Sequence, residues 1–339
     1  MTHLFLPASA AALLIAAPAA AASFDCAAAS GPVARAVCAD PALSAADERM
    51  ASLYAERRAE LSADGQRRLR QSQRSWERFV RTVCPQSGPI AAARRERPQD
   101  CLGRAYEARV ADLQSTLQRI GPFRFLFLRG YGAAPDGREY IFGSYPGFTV
   151  RTVSEPRIDG DGSPAAARWN AFIAKTARIE PSRPETDAPP RADRIEEIKI
   201  VFASRDLISA RLIRVADVHG STRPARSEAM LHYLFARARP MTPYDLFRPG
   251  SGWERVLAER SRAELEGTLG LEFRRGAIAI VEHTVRTPRS WTLEASGLTI
   301  RFPPEVLFDY ALEGPRVTIP WSELRRYLAA ERAVPFPPP

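Results

Sequence analysis

Apolar residues recur at three- and four-residue intervals along the first part of the chain. Leu43, Ala46, Met50, Leu53, Tyr54 and Leu61 form one such stripe, with Arg57 in register. Leu69, Trp76, Phe79, Val80 and Val83 form a second, and Leu102, Tyr106, Val110, Leu113 and Leu117 a third. Each spacing is the inward face of an amphipathic helix. Pro32 is placed to open a short helix running to Cys38, which Asp40-Pro41 ends. The next helix starts at Leu43 or Ser44, Asp64-Gly65 breaks the chain, and a last helix begins at about Gln99. Pro85 to Pro98 reads as a loop in which Arg94-Arg95-Glu96-Arg97 is solvated. At these spacings Trp76 and Tyr106 are core positions rather than ligand-facing aromatics.

Behind Ile120-Gly121-Pro122, which stops the last helix, the pattern changes to strands. Phe123 to Leu128, Tyr140 to Tyr145 and Phe148 to Val153 are β-rich, with Gly130, Gly132 and Pro135-Asp136-Gly137 as turn residues. Pro164 opens a helix through Trp169, Phe172 and Ile173. Glu180 to Asp193 is proline-rich and charged, and reads as a mobile surface loop. Strands are expected at Ile195 to Ala203, Leu207 to Val215 and Met230 to Ala236. A helix follows from Gly252 or Trp253 to Leu265, then strands at Gly276 to Glu282 and Trp291 to Glu294. The fold class is α+β: a small helical domain over 23–119, then a larger antiparallel-sheet domain over 122–331 with helices on one face. Residues 332–339 read as a disordered proline-rich tail.

Residues 1–22 have the organisation of a secretory signal peptide. An apolar run from Leu4 to Ala17 meets Pro18, and Ala20-Ala21-Ala22 supplies a small-residue cleavage site. The n-region departs from the pattern, since it has no lysine or arginine. Pro18 interrupts the run before it reaches a spanning length. Ser23-Phe24-Asp25 before Cys26 does not suit lipidation. The expected product is a soluble periplasmic or secreted protein starting near Ser23, with no transmembrane segment.

The chain has 339 residues, 45% of them hydrophobic, and a formal charge of +9 carried almost wholly by arginine; Lys175 and Lys199 are the only lysines. Its length suits two domains and its composition a packed core. A basic balance raises nucleic acid as a partner, but export argues against it. Peptidoglycan, an anionic envelope polymer or lipid is then the better partner for a basic patch, but the favoured reading is that arginine replaces lysine across a solvated surface. All four cysteines, Cys26, Cys38, Cys84 and Cys101, lie in the helical part. Three pairings are open, and the short separations favour Cys26–Cys38 and Cys84–Cys101. A zinc site is disfavoured because no CxxC or nearby histidine is present.

The order Phe24-Asp25-Cys26, Ala36-Val37-Cys38-Ala39-Asp40-Pro41, Leu43, Asp47, Tyr54, Gln73-Arg74-Ser75-Trp76, Cys84, Cys101-Leu102, Tyr106, Arg109 and Leu113 resembles the N-terminal domain of the LprI family of secreted lysozyme inhibitors. That resemblance implies the same two disulfides, and a lysozyme-type muramidase as partner. Further on, His219-Gly220, Tyr244-Asp245-Leu246-Phe247, Leu298-Thr-Ile-Arg-Phe302-Pro303, Tyr310-Ala311, Gly314 and Val317-Thr318-Ile319-Pro320-Trp321-Ser322-Glu323-Leu324 resemble the extracytoplasmic domain of the RsiV anti-sigma factor family. That domain senses lysozyme by binding it. The chain departs from that family in having neither its transmembrane helix nor its sigma-binding segment, so direct signalling is not expected.

Catalytic motifs are missing. There is no GxSxG, HExxH or P-loop, and Ser144 in Gly143-Ser144-Tyr145-Pro146-Gly147 sits one place too early for a nucleophile elbow. Asp217, His219 and Ser221 alternate on one strand and seldom reach triad geometry from such positions. His219, His232 and His283 are isolated in sequence, so neither a metal nor a cofactor is expected. No pair of opposed carboxylates can be singled out for glycoside chemistry. The candidate binding surface is Tyr310, flanked by Glu305, Asp309 and Glu313 between two expected strands. A tyrosine offers a rigid apolar body and a donating hydroxyl; its rival role is packing on the sheet. Animal lysozymes are cationic, so a +9 chain repels them at long range, although screening leaves local patches in control. The sequence therefore reads as a secreted, non-enzymatic muramidase-binding protein, or alternatively an envelope-binding module.

Overall fold

The computed structural model describes residues 22–85, 97–136, 145–177, 192–269, 277–303, 314–331 and 333–336. Among these residues four α-helices come first: α1 (Pro32–Ala39), α2 (Pro41–Glu60), α3 (Ala63–Val83) and α4 (Pro98–Gln114). Asp40 caps α2, its carboxylate accepting from the amides of Ala42 and Leu43. The break before α3 falls at Leu61-Ser62, not at Asp64-Gly65, because the Ser62 hydroxyl accepts from the Gly65 amide and caps the helix there. The disulfides are Cys26–Cys38 and Cys84–Cys101, each with 5.7 Å between Cα atoms. The first ties the N-terminal segment to α1, the second the end of α3 to the start of α4.

The third apolar stripe ends sooner than its spacing implies. Helix α4 stops at Gln114, and Leu117–Ile120 is strand β1. Gly121-Pro122 is therefore a hairpin turn into β2 (Phe123–Pro135). Gly121 has φ +56°, and a Cβ there would lie 2.0 Å from the Ala203 carbonyl oxygen, so glycine is required twice over. Strands β3 (Phe148–Ile158), β4 (Ala192–Ala203), β5 (Leu207–Val218), β6 (Ala225–Leu234) and β7 (Arg239–Pro240) complete a seven-stranded sheet in sequential order. It is not wholly antiparallel. β3 and β4 pair in parallel, from Arg151 opposite Arg194 to Ser154 opposite Glu197, joined by a crossover through α5 (Pro164–Thr176). Trp169 and Ile173 of α5 pack on one sheet face with Phe125, Val153, Ile198 and Leu212.

A C-terminal lobe holds α6 (Trp253–Leu269), α7 (Ala277–Val285), a three-stranded sheet of β8 (Trp291–Leu293), β9 (Gly297–Arg301) and β10 (Arg316–Pro320), and the short α8 (Trp321–Leu324). The strand expected at Gly276 to Glu282 is helix α7. A short apolar run does not distinguish a buried strand from a buried helix, and this one buries Val281, Thr284 and Val285, at helical spacing. Phe247 stacks on Trp253 at 4.7 Å, and Trp291 stands edge-on to both. Val334 and Phe336, in the stretch read as a disordered tail, are buried in this core. The strand expected at Tyr140 to Tyr145 and most of the loops over 85–98 and 180–193 lie outside the described residues.

The helical part and the large sheet share one core, in which Trp76, Phe79, Leu102 and Leu113 meet Leu126, Leu128, Phe148 and Val150. Strand β1 and the Thr116 carbonyl satisfy the outer edge of β2 as far as Phe127. Beyond that, α3 takes over: Ser72 Oγ donates to the Arg129 carbonyl at 2.6 Å, and Tyr131 N donates to Ser75 Oγ at 3.4 Å. Asp159, after β3, clamps the other end of α3 by accepting from Ser62 N, Ser62 Oγ and Arg124 Nη2. A Cβ at Gly65 would lie 2.4 Å from an Asp159 carboxylate oxygen, so the helix approaches only because that residue is glycine. Asp159→Ala should lower stability by about 2 kcal/mol, the cost of orphaning these donors, with Asp159→Asn milder; urea denaturation midpoints read the difference.

Candidate functional site

The residues that carry the N-terminal resemblance are scattered in sequence and adjacent in space. Asp47 of α2 is almost wholly buried. Its carboxylate accepts from Ser23 N at 2.8 Å, Ser23 Oγ at 2.6 Å and the Tyr106 hydroxyl at 3.1 Å. Burial first, then the charge and hydrogen bond of Asp47, raise the Tyr106 pKa, so the phenol stays a donor. Trp76 stands edge-on to Tyr106 with centroids 5.1 Å apart. Above them lies a groove of about 580 Å³, walled by Phe24, Val33, Met50, Tyr54, Arg74 and Trp76 among others. Its floor is fixed by the buried carboxylate and its wall by the stapled N-terminal segment.

The Gln73-Arg74-Ser75-Trp76 run divides its work around the helix. Gln73 Oε1 accepts from Arg109 Nε at 3.0 Å, Ser75 meets the β2 edge, Trp76 is core and Arg74 is exposed. Arg109 is 2% exposed and has no carboxylate partner among the described residues; Nη1 donates to Ser72 Oγ at 3.2 Å and to the Tyr131 hydroxyl at 3.5 Å. Tyr131 in turn donates to Asp112. This charge is held by neutral dipoles and the Tyr131 ring, 5.7 Å from its guanidinium carbon. Its position, where α3, α4 and β2 meet, gives a buried arginine a structural task.

The histidines are not brought together. His219 does not face Asp217 or Ser221; Nδ1 bonds Asp136 at 2.6 Å and Nε2 bonds Asp193 at 3.2 Å. The Ser221 hydroxyl donates instead to the Arg223 carbonyl. Burial opposes the charged ring of His219, but the hydrogen bonds to Asp136 and Asp193 and their charges together outweigh it and raise its pKa. Asp193 also accepts from Val150 N at 2.8 Å, so the clamp ties the ends of β2, β4 and β5 to β3. His232 is buried between the two sheets. Its Nε2 donates to the Trp291 carbonyl at 2.8 Å, so Nδ1 accepts from Ser209 Oγ at 2.8 Å. Burial pushes its pKa down to about 4, and the ring is neutral. His283 is exposed on α7, and no cluster of three metal-ligating side chains occurs among the described residues.

Of the site residues expected from sequence, Tyr310, Glu305, Asp309 and Glu313 lie outside the described residues. The segment leaves β9 beyond Pro303 and returns at Gly314, and both these residues line a cavity of about 250 Å³ with Arg211, Arg226, Arg289 and Arg301. Sequence reading missed the groove and the Asp47–Tyr106 bond. Their only signal was the resemblance itself, which lists these residues without saying that they touch. No helix among the described residues is long and apolar enough to cross a membrane.

The two clamped histidines give opposite pH limbs. His219 has a raised folded pKa, so its stabilisation is complete below about pH 6.5 and is lost as pH rises through the folded value. His232 has a depressed one, so its contribution is complete above about pH 6.5 and is lost as pH falls towards about 4. Urea unfolding across this range should show His219→Gln flattening the alkaline limb and His232→Gln the acid limb. An unchanged alkaline slope in His219→Gln would contradict the clamp.

No curated protein matches the chain. Among solved structures, a member of the DUF3298 family from Bacteroides fragilis is similar at 11% identity and a TM-score of 0.43, over 63% of this chain and 96% of its own. A DUF3298 family protein from Pseudomonas aeruginosa is similar at 14% identity and a TM-score of 0.43, over 62% of this chain and 96% of its own. Residues 26–120, which hold both disulfides and most of the groove, match the family model described as Lysozyme inhibitor LprI.

Proposed function

We propose that this is an exported, non-catalytic binding protein whose partner is a lysozyme-type muramidase, and that it acts by occluding the enzyme's cleft. The observation that carries the reading is the match of residues 26–120 to a lysozyme inhibitor family. The two disulfides add to it, since bonds of this kind persist in oxidising compartments outside the cytosol. The geometry is consistent with a binder: a stapled helical unit offers a preformed groove, and docking on a sheet edge holds that unit rigid. Preorganisation of this kind lowers the entropic cost of association.

The C-terminal lobe is assigned a second contact. Among the stretches read there as resembling the RsiV family are those of β9, β10 and α8, which flank the acidic segment 304–313 in sequence. Tyr310 is proposed as the anchor there, with Glu305, Asp309 and Glu313 giving an acidic segment in an otherwise basic chain.

The chain beginning at Ser23 should inhibit peptidoglycan hydrolysis by a muramidase stoichiometrically and co-elute with the enzyme. Neither inhibition nor co-elution at near-physiological salt would overturn the reading. Tyr310→Phe should weaken inhibition several-fold with an unchanged thermal midpoint; full truncation of a buried interface tyrosine typically costs ~2 kcal/mol or more. A lowered midpoint with unchanged inhibition would make Tyr310 a core residue instead.

A further inference from the structure

Helix α3 turns one face to the core through Leu69, Trp76, Val80 and Val83. The opposite face carries Arg70, Arg74, Arg78 and Arg81, at spacings of four, four and three residues. These are the intervals at which side chains line up along a helix. Arg74, Arg78 and Arg81 are exposed and Arg70 half-buried. Arg67 continues the file one turn earlier but is paired with Asp64 at 2.8 Å. The other four have no ion pair and no side-chain hydrogen bond among the described residues. Glu77, three residues after Arg74 and four before Arg81, pairs with neither.

Like charges at such spacings oppose helix formation, so folding alone does not account for the file. A surface arginine merely needed for solubility does not have to be aligned with three others. Arg70 to Arg81 spans about 16 Å, with successive charges about 6 Å apart along the axis. Each guanidinium presents a planar fork that takes two phosphate oxygens at once. A single file suits an extended chain; a lipid surface would call for charge spread over a broad face.

We propose that this face of α3 binds a linear phosphodiester polymer of the cell envelope. Successive phosphates engage the four arginines in order, and the N-terminal unit is thereby held to the polymer. The groove lies beside the file, since Arg70, Arg74 and Arg81 also line it. The proposal does not rest on the muramidase reading.

The probe is poly(glycerol phosphate), titrated into the chain beginning at Ser23 and followed by fluorescence anisotropy of labelled polymer. Counter-ion release at about −0.7 per contact on a flexible strand gives a log–log salt slope near −3 for four contacts, or roughly 50-fold weaker binding from ~50 to ~200 mM salt. The variant R70Q/R74Q/R78Q/R81Q keeps helix propensity at three exposed positions and one half-buried one. It should bind at least about tenfold more weakly, with a slope near zero. The control R119Q/R205Q/R255Q/R286Q removes the same charge elsewhere on the surface and should bind like the parent. Equal losses in the two variants would mean that net charge alone acts, and would overturn the proposal. So would no binding by the parent at low salt, or phosphatidylglycerol vesicles competing as well per phosphate as the polymer.

Discussion

The outer edge of β2 is the constraint on which the arrangement depends. A strand that leaves its amides and carbonyls unpaired is open to other chains, and here the edge is closed in two steps. Strand β1 and Thr116 cover its first part; the hydroxyls of Ser72 and Ser75 on α3 cover the next. A helix cannot offer backbone groups sideways, so only side chains of the right length can make that contact. The position of α3 follows, and with it the positions of α2 and α4 that pack around it. Asp159 and Gly65 set its other end. The groove is thus held in place by the sheet as well as by its own helices.

Much of this was legible in the sequence where one physical rule dominated. The stripes of α2 and α3 were clear because burial on one side of a helix is strictly periodic. The strands from Ile195 and Leu207 were clear because both runs are rich in isoleucine, valine and leucine and lack glycine and proline. Legibility failed where two rules competed. Leu117 fitted the stripe of α4, but the Phe123–Leu126 segment offered strand pairing that the helix could not match. Ala277–Val285 was too short for periodicity to decide, its apolar residues forming one unbroken run from Ala277 to Val281. The parallel step from β3 to β4 was hidden because nothing in an isolated strand records the direction of its neighbour.

The candidate site was legible in a weaker sense. An ordered set of residues marked the N-terminal unit, yet it did not say which were core and which faced outward. The structure separates them: Asp47, Trp76 and Tyr106 are committed to one another and Arg109 to Gln73, Ser72 and Tyr131, whereas Arg74 is exposed. Internal charges in this unit are satisfied mainly by neutral dipoles, as at Arg109. That makes the interior dependent on geometry, since a dipole displaced by an ångström loses most of its effect. The rigidity supplied by the disulfides and the sheet edge is what such an interior needs.

The covalent bonds have a consequence beyond the unit they staple. Both disulfides lie in the same helical part, and one of them anchors the end of the helix that shields β2. A covalent bond between cysteines that lie in no strand thus supports the sheet indirectly, because Ser72 and Ser75 on the same helix fill the edge of β2. For this protein, the passage into an oxidising compartment does more than stabilise a fold. The bond formed there also holds the helix whose hydroxyls close the edge of β2.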